Sequence, residues 1–351
     1  MNAAACAGRV LVAAFLGCAW SAVAAAEDSV DLTPCWAPGE PMYVELVDKI
    51  ESKSRGGPGG GEETTRASER IRGVVRRIEA IASPKGTRMT LTFDRMKHYS
   101  EGRRGPMTFD SDADKLDDSS NVLAGIFGPM IGMSLTMDVD SSGRITAFKG
   151  MEAVYEKIEP TATGNFVFAG LQDDFTDESA RVLWGDSRMV LYPYKTVKVG
   201  DTWTRTVRQF GVYLGDVVRE YQCTLDRIGT EDGRPIAVVR YTAKIAQPPG
   251  AKRGARMFFM LLDRTSGDIE GTATFDVKKG EFVAQSETTR MIIDGSTSGP
   301  GPDETKPVHM ETTTRQTLTL MTDADRKAQR AENRKAAAEK DAAKPAVPKE
   351  D

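Results

Sequence analysis

The sequence predicts a mainly β (α+β) fold made of two related antiparallel curved-sheet units, with a few helices between and on them. Three observations support this prediction. Long runs alternate apolar and polar residues, matched segments occur in the same order in both halves of the chain, and short helical patterns separate those halves. A period of two is what a half-buried antiparallel strand requires, and a period near 3.6 indicates a helix.

The N-terminus has the pattern of a cleavable secretion signal. One cation, Arg9, precedes an apolar run over residues 10–20, and small residues follow up to Ala26. This pattern predicts cleavage after Ala26, with a second site two residues earlier left open, and the run is shorter than the ~20 residues of a membrane span. A lipoprotein cleaved before Cys18 is a minor alternative. We therefore expect an exported protein, periplasmic or extracellular, whose signal peptide is residues 1–26.

Matched segments predict an internal duplication in the body that follows. The pairs are 39–43 with 200–203, 77–93 with 227–241, and 136–143 with 274–280. The predicted divisions are a first β unit over 27–150, a helical connector over 151–195, a second β unit over 196–321 and a tail over 322–351. The first unit is longer because it holds a Gly-rich loop at 54–63 and an inserted, Asp-capped helix at 117–131. Whether the units form one domain or two is left open.

The individual elements follow from local pattern. Residues 89–93 alternate as a strand does, whereas 71–82 fit both periods and are interpreted as a strand because their matched segment lacks a helical apolar face. Residues 151–159 and 176–184 predict helices. The tail is rich in Ala, Lys, Arg and Glu without a large apolar residue between Asp323 and Lys344, so we expect a solvated helix or a disordered segment.

Charge excludes one class of partner. The formal net charge of the chain is −4, so no global electrostatic attraction to nucleic acid is expected. One local basic cluster stands out, because Arg70, Arg72 and Arg76 share a face of their predicted strand. Two interpretations stay open for it: a surface that binds an anionic polymer or lipid headgroup, and a solvated strand face.

Two cysteines lie beyond the predicted signal, Cys35 and Cys223. In an oxidising compartment they could pair and close a very long loop. Two separate buried thiols are the alternative.

Motifs for catalysis or metal binding are incomplete. Asp138–Gly143 resembles the start of a calcium loop, but Lys149 takes the twelfth position, where a carboxylate is needed, so a polar hairpin turn is expected. His98 and His309 show no zinc-ligand spacing, and no G-x-S-x-G turn occurs. We predict no catalytic, cofactor or metal site. Trp184 and Trp203 could line a cleft or belong to the core.

An ordered series of short motifs resembles a known family. Residues 107–111 (MTFDS), 137–143 (MDVDSSG) and 197–203 (VKVGDTW) occur in this order. The series is similar to that of an uncharacterised family of exported bacterial proteins, classified as a domain of unknown function. The family has no established activity or catalytic residues, so the resemblance implies none here.

These observations favour an envelope protein without catalytic activity and with a binding, carrier or structural role. Its partner would be an envelope lipid, peptide or glycan, and neither a nucleic acid partner nor integration into the membrane is expected. The alternative is a secreted hydrolase with a site between the two units that uses His98 or His309.

Overall fold

The computed structural model is an antiparallel β protein, so the prediction of a mainly β fold is confirmed. It describes residues 29–36, 38–56, 63–82, 85–102, 105–162, 175–211, 215–248, 256–257, 260–298 and 305–342. The strands in these ranges are β1 (Ser29–Asp31), β2 (Met42–Gly56), β3 (Thr64–Ala82), β4 (Lys85–Gly102), β5 (Gly105–Asp110), β6 (Ser134–Asp140), β7 (Ile145–Lys149), β8 (Thr196–Lys198), β9 (Thr202–Gly211), β10 (Gly215–Glu231), β11 (Arg234–Ala246), β12 (Arg256–Met257), β13 (Met260–Asp276), β14 (Glu281–Ser298) and β15 (Thr305–Met321).

Four helices accompany the strands in the part of the chain that the structure describes. They are α1 (Val122–Phe127), α2 (Met151–Ala162), α3 (Asp177–Arg181, continued by a π-helical turn Val182–Asp186 and a last turn Ser187–Met189) and α4 (Asp323–Ala342). The helix predicted at 117–131 is therefore shorter, and its cap is Asn121, not an aspartate. The Asn121 side chain accepts from the Leu123 N–H, which satisfies one of the free donors of the first turn.

One large sheet holds thirteen of these strands. Its order is β7-β6-β4-β3-β2-β15-β14-β13-β11-β10-β9, with β5 on β4 and β12 on β13, and all pairs are antiparallel. β2 near the start of the chain pairs with β15 near its end, so the two predicted β units form a single continuous sheet. β1 and β8 pair separately.

The matched segments of the two halves occupy comparable strands. The first half runs β2-β3-β4-β6-β7 and the second runs β9-β10-β11-β13-β14, each with strands paired in chain order. Consecutive antiparallel strands pair with their neighbours in most folds. The shared order therefore does not establish a duplication, which stays a prediction. The Gly-rich segment predicted as a loop continues β2 as far as Gly56, and residues 57–62 lie outside the described part.

Two apolar cores lie on one face of the sheet, which we call the inner face; it carries Val44 and Leu46 of β2. The first core packs the β2–β7 half against α1, α2 and α3, with Trp184 of α3 only 2% exposed at its centre. The second packs β9–β13 against residues 190–197 and β1. Trp36 and Met189 contact both cores, so they mark the junction between them.

The charged tail is not solvated throughout, because α4 docks on the opposite, outer face. Successive strand residues alternate between faces, and Tyr43 and Glu45 of β2 point outward. Arg326 of α4 stacks over the Tyr43 ring, with 4.9 Å from the guanidinium carbon to the ring centroid, and is only 4% exposed. From the sequence we expected no buried face because only apolar residues were considered, whereas α4 docks through ion pairs. Residues 343–351 lie outside the described ranges.

Candidate functional site

A cavity lies at the junction of the two cores, between α3 and the inner face of the sheet. The space between its lining residues, counted together with the solvent at its open side, is about 600 Å³. Both halves of the sheet contribute, because β2, β3, β4 and β6 come from one half and β14 and β15 from the other. The pairing of β2 with β15 places these strands side by side. The site therefore depends on the central strand pair.

Most of the lining is apolar. The side chains that carry this character, from the sheet and from α3 and the segments next to it, are Trp36, Val44, Met89, Leu91, Met137, Trp184, Met189, Leu191, Phe282, Leu318 and Leu320. Even-numbered residues of β15 and β2 face inward in register, since Leu318 pairs with Leu46 and Leu320 with Val44. An apolar cavity with few polar groups is the usual form of a small-molecule site.

The charged residues of the cavity come from β3, β14 and α3. Arg76 forms an ion pair with Glu281, with Nη2 and Oε2 2.8 Å apart, and both side chains are about one-tenth exposed. Arg188 lies over the Trp184 ring, with 5.1 Å from its guanidinium carbon to the ring centroid. The cavity therefore combines an apolar body with a polar end that contains two guanidinium groups and one carboxylate.

The three arginines predicted as a basic cluster do share a face, but that face is the covered inner one, not a solvated one. Arg72 forms an ion pair with buried Asp48 of β2, which also accepts a hydrogen bond from Gln316 at 2.8 Å. Arg76 reaches the cavity as described. Arg70 lies opposite His98 in the β3–β4 pair, and its charge helps to lower the pKa of that histidine.

Of the two alternatives for Cys35 and Cys223, their pairing does not occur in this structure, because Cys223 is a free, buried thiol on β10. It faces the second core, where its Sγ lies 3.8 Å from the Val190 carbonyl oxygen. Burial raises the pKa of this thiol to about 12. Cys35 lies elsewhere, and its backbone N–H donates to the carbonyl of Gly280 at the β13–β14 turn.

The two histidines lie in different surroundings. His98 on β4 is buried, contacts the Phe127 ring and lies 3.1 Å from Ser100 Oγ through Nε2. His309 on β15 is exposed and lies 2.7 Å from Asp294 Oδ1. Within the described ranges, no carboxylate is hydrogen-bonded to His98 and no hydroxyl or thiol is hydrogen-bonded to His309, so these contacts assemble no triad.

The calcium-like segment forms the turn between β6 and β7, as expected. Asp140 accepts from the Ser142 hydroxyl at 2.6 Å and from the backbone N–H of Arg144 at 3.0 Å, and these bonds lower the pKa of its carboxyl to about 2. Asp138 binds Arg88 through two bonds of 2.7 Å. Over the described part of the chain, no three metal-ligating side chains cluster. Trp184 and Trp203 are both core residues, and Trp184 also lines the cavity.

Sequence reasoning missed Arg188 and Glu281. Glu281 follows the β13–β14 turn and is about 205 residues from Arg76 along the chain, and Arg188 lies in the last turn of α3, about 110 residues from Arg76. No local motif links them. The available signal for Arg188 was its position directly before the apolar run Met189–Leu191.

None of the helices in the described ranges has the length and apolar character to cross a membrane. No curated protein sequence matches this chain. Among solved structures, lipovitellin is similar over 82% of this chain, at 12% identity and a TM-score of 0.38, and this chain spans a quarter of its length. DynF from the dynemicin pathway of Micromonospora chersina is similar over 83% of this chain and 86% of its own, at 11% identity and a TM-score of 0.20.

A LolA superfamily protein from Nitrosomonas europaea covers 82% of this chain and 87% of its own, at 9% identity and a TM-score of 0.10. TM-scores this low do not define a shared fold for any of the three. A family model, in contrast, matches residues 85–282, more than half of the chain. The chain belongs to the family of unknown function DUF6263.

Proposed function

We propose that this chain is an exported, non-catalytic binding protein that holds an apolar ligand in the cavity between α3 and the inner face of the sheet. The observation that carries the proposal is the position of the cavity, where the two cores meet and where both halves of the sheet line one space. Filling this space would remove apolar surface of both halves from water, which is favourable in proportion to the area covered.

The residues that line the cavity support a binding role. Ligand sites are concave, mainly apolar and carry a few placed polar groups. Here the apolar lining and the Arg76–Glu281 pair meet that description. Trp36 and Met189 are only partly buried, so a ligand would cover more of both side chains.

The export proposal rests on the order of charged, apolar and small residues at the N-terminus. We expect the protein recovered from an expressing cell's envelope or medium to begin at Glu27. Edman sequencing or intact mass measurement checks this. A polypeptide that retains Met1 in that fraction would contradict export by a cleaved signal, and a lipidated Cys18 would indicate the lipoprotein route.

A substitution that fills the cavity should block binding. Leu320 of β15 lines the cavity and is partly buried, so Leu320→Trp would occupy space that the ligand needs. We expect the wild-type protein to bind the neutral apolar dye N-phenyl-1-naphthylamine with a rise in dye fluorescence, and Leu320→Trp to weaken that binding about tenfold or more, a change of ~1.4 kcal/mol.

Thr319→Trp is the matched control, because Thr319 is the preceding residue of the same strand and is exposed on the outer face. It should bind the dye as the wild type does. Equal weakening by both substitutions would place the dye elsewhere. Absence of dye binding by the wild type would overturn the proposal of an apolar site.

A further inference from the structure

The polar end of the cavity has more positive than negative charge. Arg76 is neutralised by Glu281 at 2.8 Å, and Arg72, which lies on the same face of β3, is neutralised by Asp48. Arg188 has no such partner, because no carboxylate lies within 4 Å of it in the described part of the chain. Three guanidinium groups in this region, Arg72, Arg76 and Arg188, therefore face only two carboxylates, Asp48 and Glu281.

Arg188 is also incompletely hydrogen-bonded. Its Nη2 atom is shielded from solvent and has no hydrogen-bond partner among the described residues. Burial, and next the charge of Arg76, lower the pKa of Arg188 to about 9, so the group is still charged at neutral pH. The ring of Trp184 offers it a cation–π contact, which compensates the loss of hydration around this partly buried cation only in part.

A buried cation without a counter-ion is unfavourable, and a protein usually pairs it or places it where a ligand pairs it. A water molecule could satisfy the free N–H but would leave the charge uncompensated. An anionic group would do both, since guanidinium binds carboxylate or phosphate oxygens through parallel hydrogen bonds. The apolar lining adjoins this end of the cavity directly.

We propose that the ligand is an amphiphile with an anionic head group, which binds Arg188, and an apolar chain, which lies along Val44, Leu91 and Leu320. This inference rests on the proposed function, because it assigns the chemistry of the ligand in the same cavity. The Arg76–Glu281 pair would lie beside the head group and hold Arg76 in place.

The test compares an acid with its neutral ester as competitors of the bound dye. Oleate and methyl oleate have the same chain, and only oleate carries a charge. We expect oleate to displace N-phenyl-1-naphthylamine from the wild type at a concentration about tenfold lower than methyl oleate, as a charge-assisted hydrogen bond would produce. Lysophosphatidate, tested in parallel, distinguishes a phosphate-bearing lipid from a free fatty acid as the preferred source of the anion.

Arg188→Met removes the charge and keeps an unbranched apolar stem, and Arg188→Lys keeps the charge. The Met variant should bind oleate about tenfold more weakly and methyl oleate unchanged, and the Lys variant should recover part of the difference. Arg240→Met is the control, because Arg240 is exposed and pairs with Asp226 away from the inner face. It should leave both affinities unchanged.

Stability separates a binding role of Arg188 from a structural one. Removing a partly buried cation that lacks a counter-ion should leave the melting temperature of Arg188→Met equal to or above that of the wild type, whereas removal of a structural ion pair would lower it. Equal competition by oleate and methyl oleate, or an Arg188→Met variant that binds oleate as the wild type does, would overturn the inference. Dye binding without this charge preference would leave the proposed function intact.

Discussion

Replacement of Arg326 by methionine is expected to lower the free energy of unfolding by about 3 kcal/mol, the effect of removing one member of a buried ion-pair network. Urea unfolding followed by circular dichroism measures it. The side chain of Arg326 donates to Asp112 through bonds of 2.7 and 2.9 Å and to Asp94 at 2.7 Å. The substitution would leave carboxylates at this interface without their main counter-charge.

Other cations close to Asp112 and Asp94 explain why the loss expected for Arg326→Met is at the lower end of the range for breaking a buried ion pair. Arg95, also 4% exposed, lies 3.3 Å from Asp112, and Arg330 lies 2.6 Å from Asp94. These cations would still compensate part of the negative charge. Burial by itself would raise the pKa of the Asp112 carboxyl. The hydrogen bonds from Arg326 and Asn333 outweigh burial and hold this pKa below its usual value.

Arg334→Met is the matched control, because Arg334 lies on the same helix and is exposed. It should change the free energy of unfolding by less than about 0.5 kcal/mol, as surface substitutions do. A similar small effect from Arg326→Met would mean that α4 does not depend on this contact. Truncation after Met321 should reproduce or exceed the loss seen with Arg326→Met, since it removes Arg330 as well.

The second large effect is a loss of folding stability at acidic pH through protonation of His98. His98 is 9% exposed, and burial, followed by the charge of Arg70, lowers its pKa to about 4. The unfolded chain has a histidine pKa near 6.5, so between these values the unfolded state binds the proton and the folded state does not. The stability that His98 contributes is therefore full above pH 6.5 and is lost as the pH falls toward 4.

We expect this group to remove about 2 kcal/mol of stability between pH 7 and pH 5. His98→Gln cannot take up the proton and keeps a polar contact with Ser100. Between pH 7 and pH 5, the free energy of unfolding of this variant should therefore fall by about 2 kcal/mol less than that of the wild type. Chemical unfolding at a series of pH values measures the difference.

His309→Gln provides a control of opposite sign. Hydrogen bonds to Asp294 and Glu311 raise the pKa of exposed His309, so its contribution to stability is present at low pH and is lost as the pH rises. If His98→Gln and the wild type lose stability in parallel from pH 7 to pH 5, His98 does not titrate as this environment requires.

Local pattern was enough for a strand such as residues 89–93 of β4, because alternation reflects which side of a sheet is covered. The segment over residues 71–82 fits a helix and a strand equally by spacing, and comparison with its matched segment gave the correct answer, β3. The tail shows where local pattern fails. Its helix has no apolar stripe, and the partners that bury Arg326, such as Asp112, are more than 200 residues away.

The candidate site also has features that local pattern predicted and features that depend on residues distant in the chain. Alternation along β3 correctly placed Arg70, Arg72 and Arg76 on one face. It could not tell that this face is covered by α3, because burial depends on elements distant in the chain. Likewise, the sequence places two cysteines beyond the predicted signal but holds no information on whether their side chains point toward each other. Cys223 turned out to face the second core.

Residue patterns alone were enough for a mainly β chain with helices near 151–159 and 176–184. These properties depend on residue spacing over a few turns or strands. Only the tertiary structure decided that β2 pairs with β15, that α4 docks through charges, and that Arg188 lies beside Arg76. Those contacts join residues about 110 to 280 positions apart, and their free energy comes from desolvation and charge pairing, which no local pattern encodes.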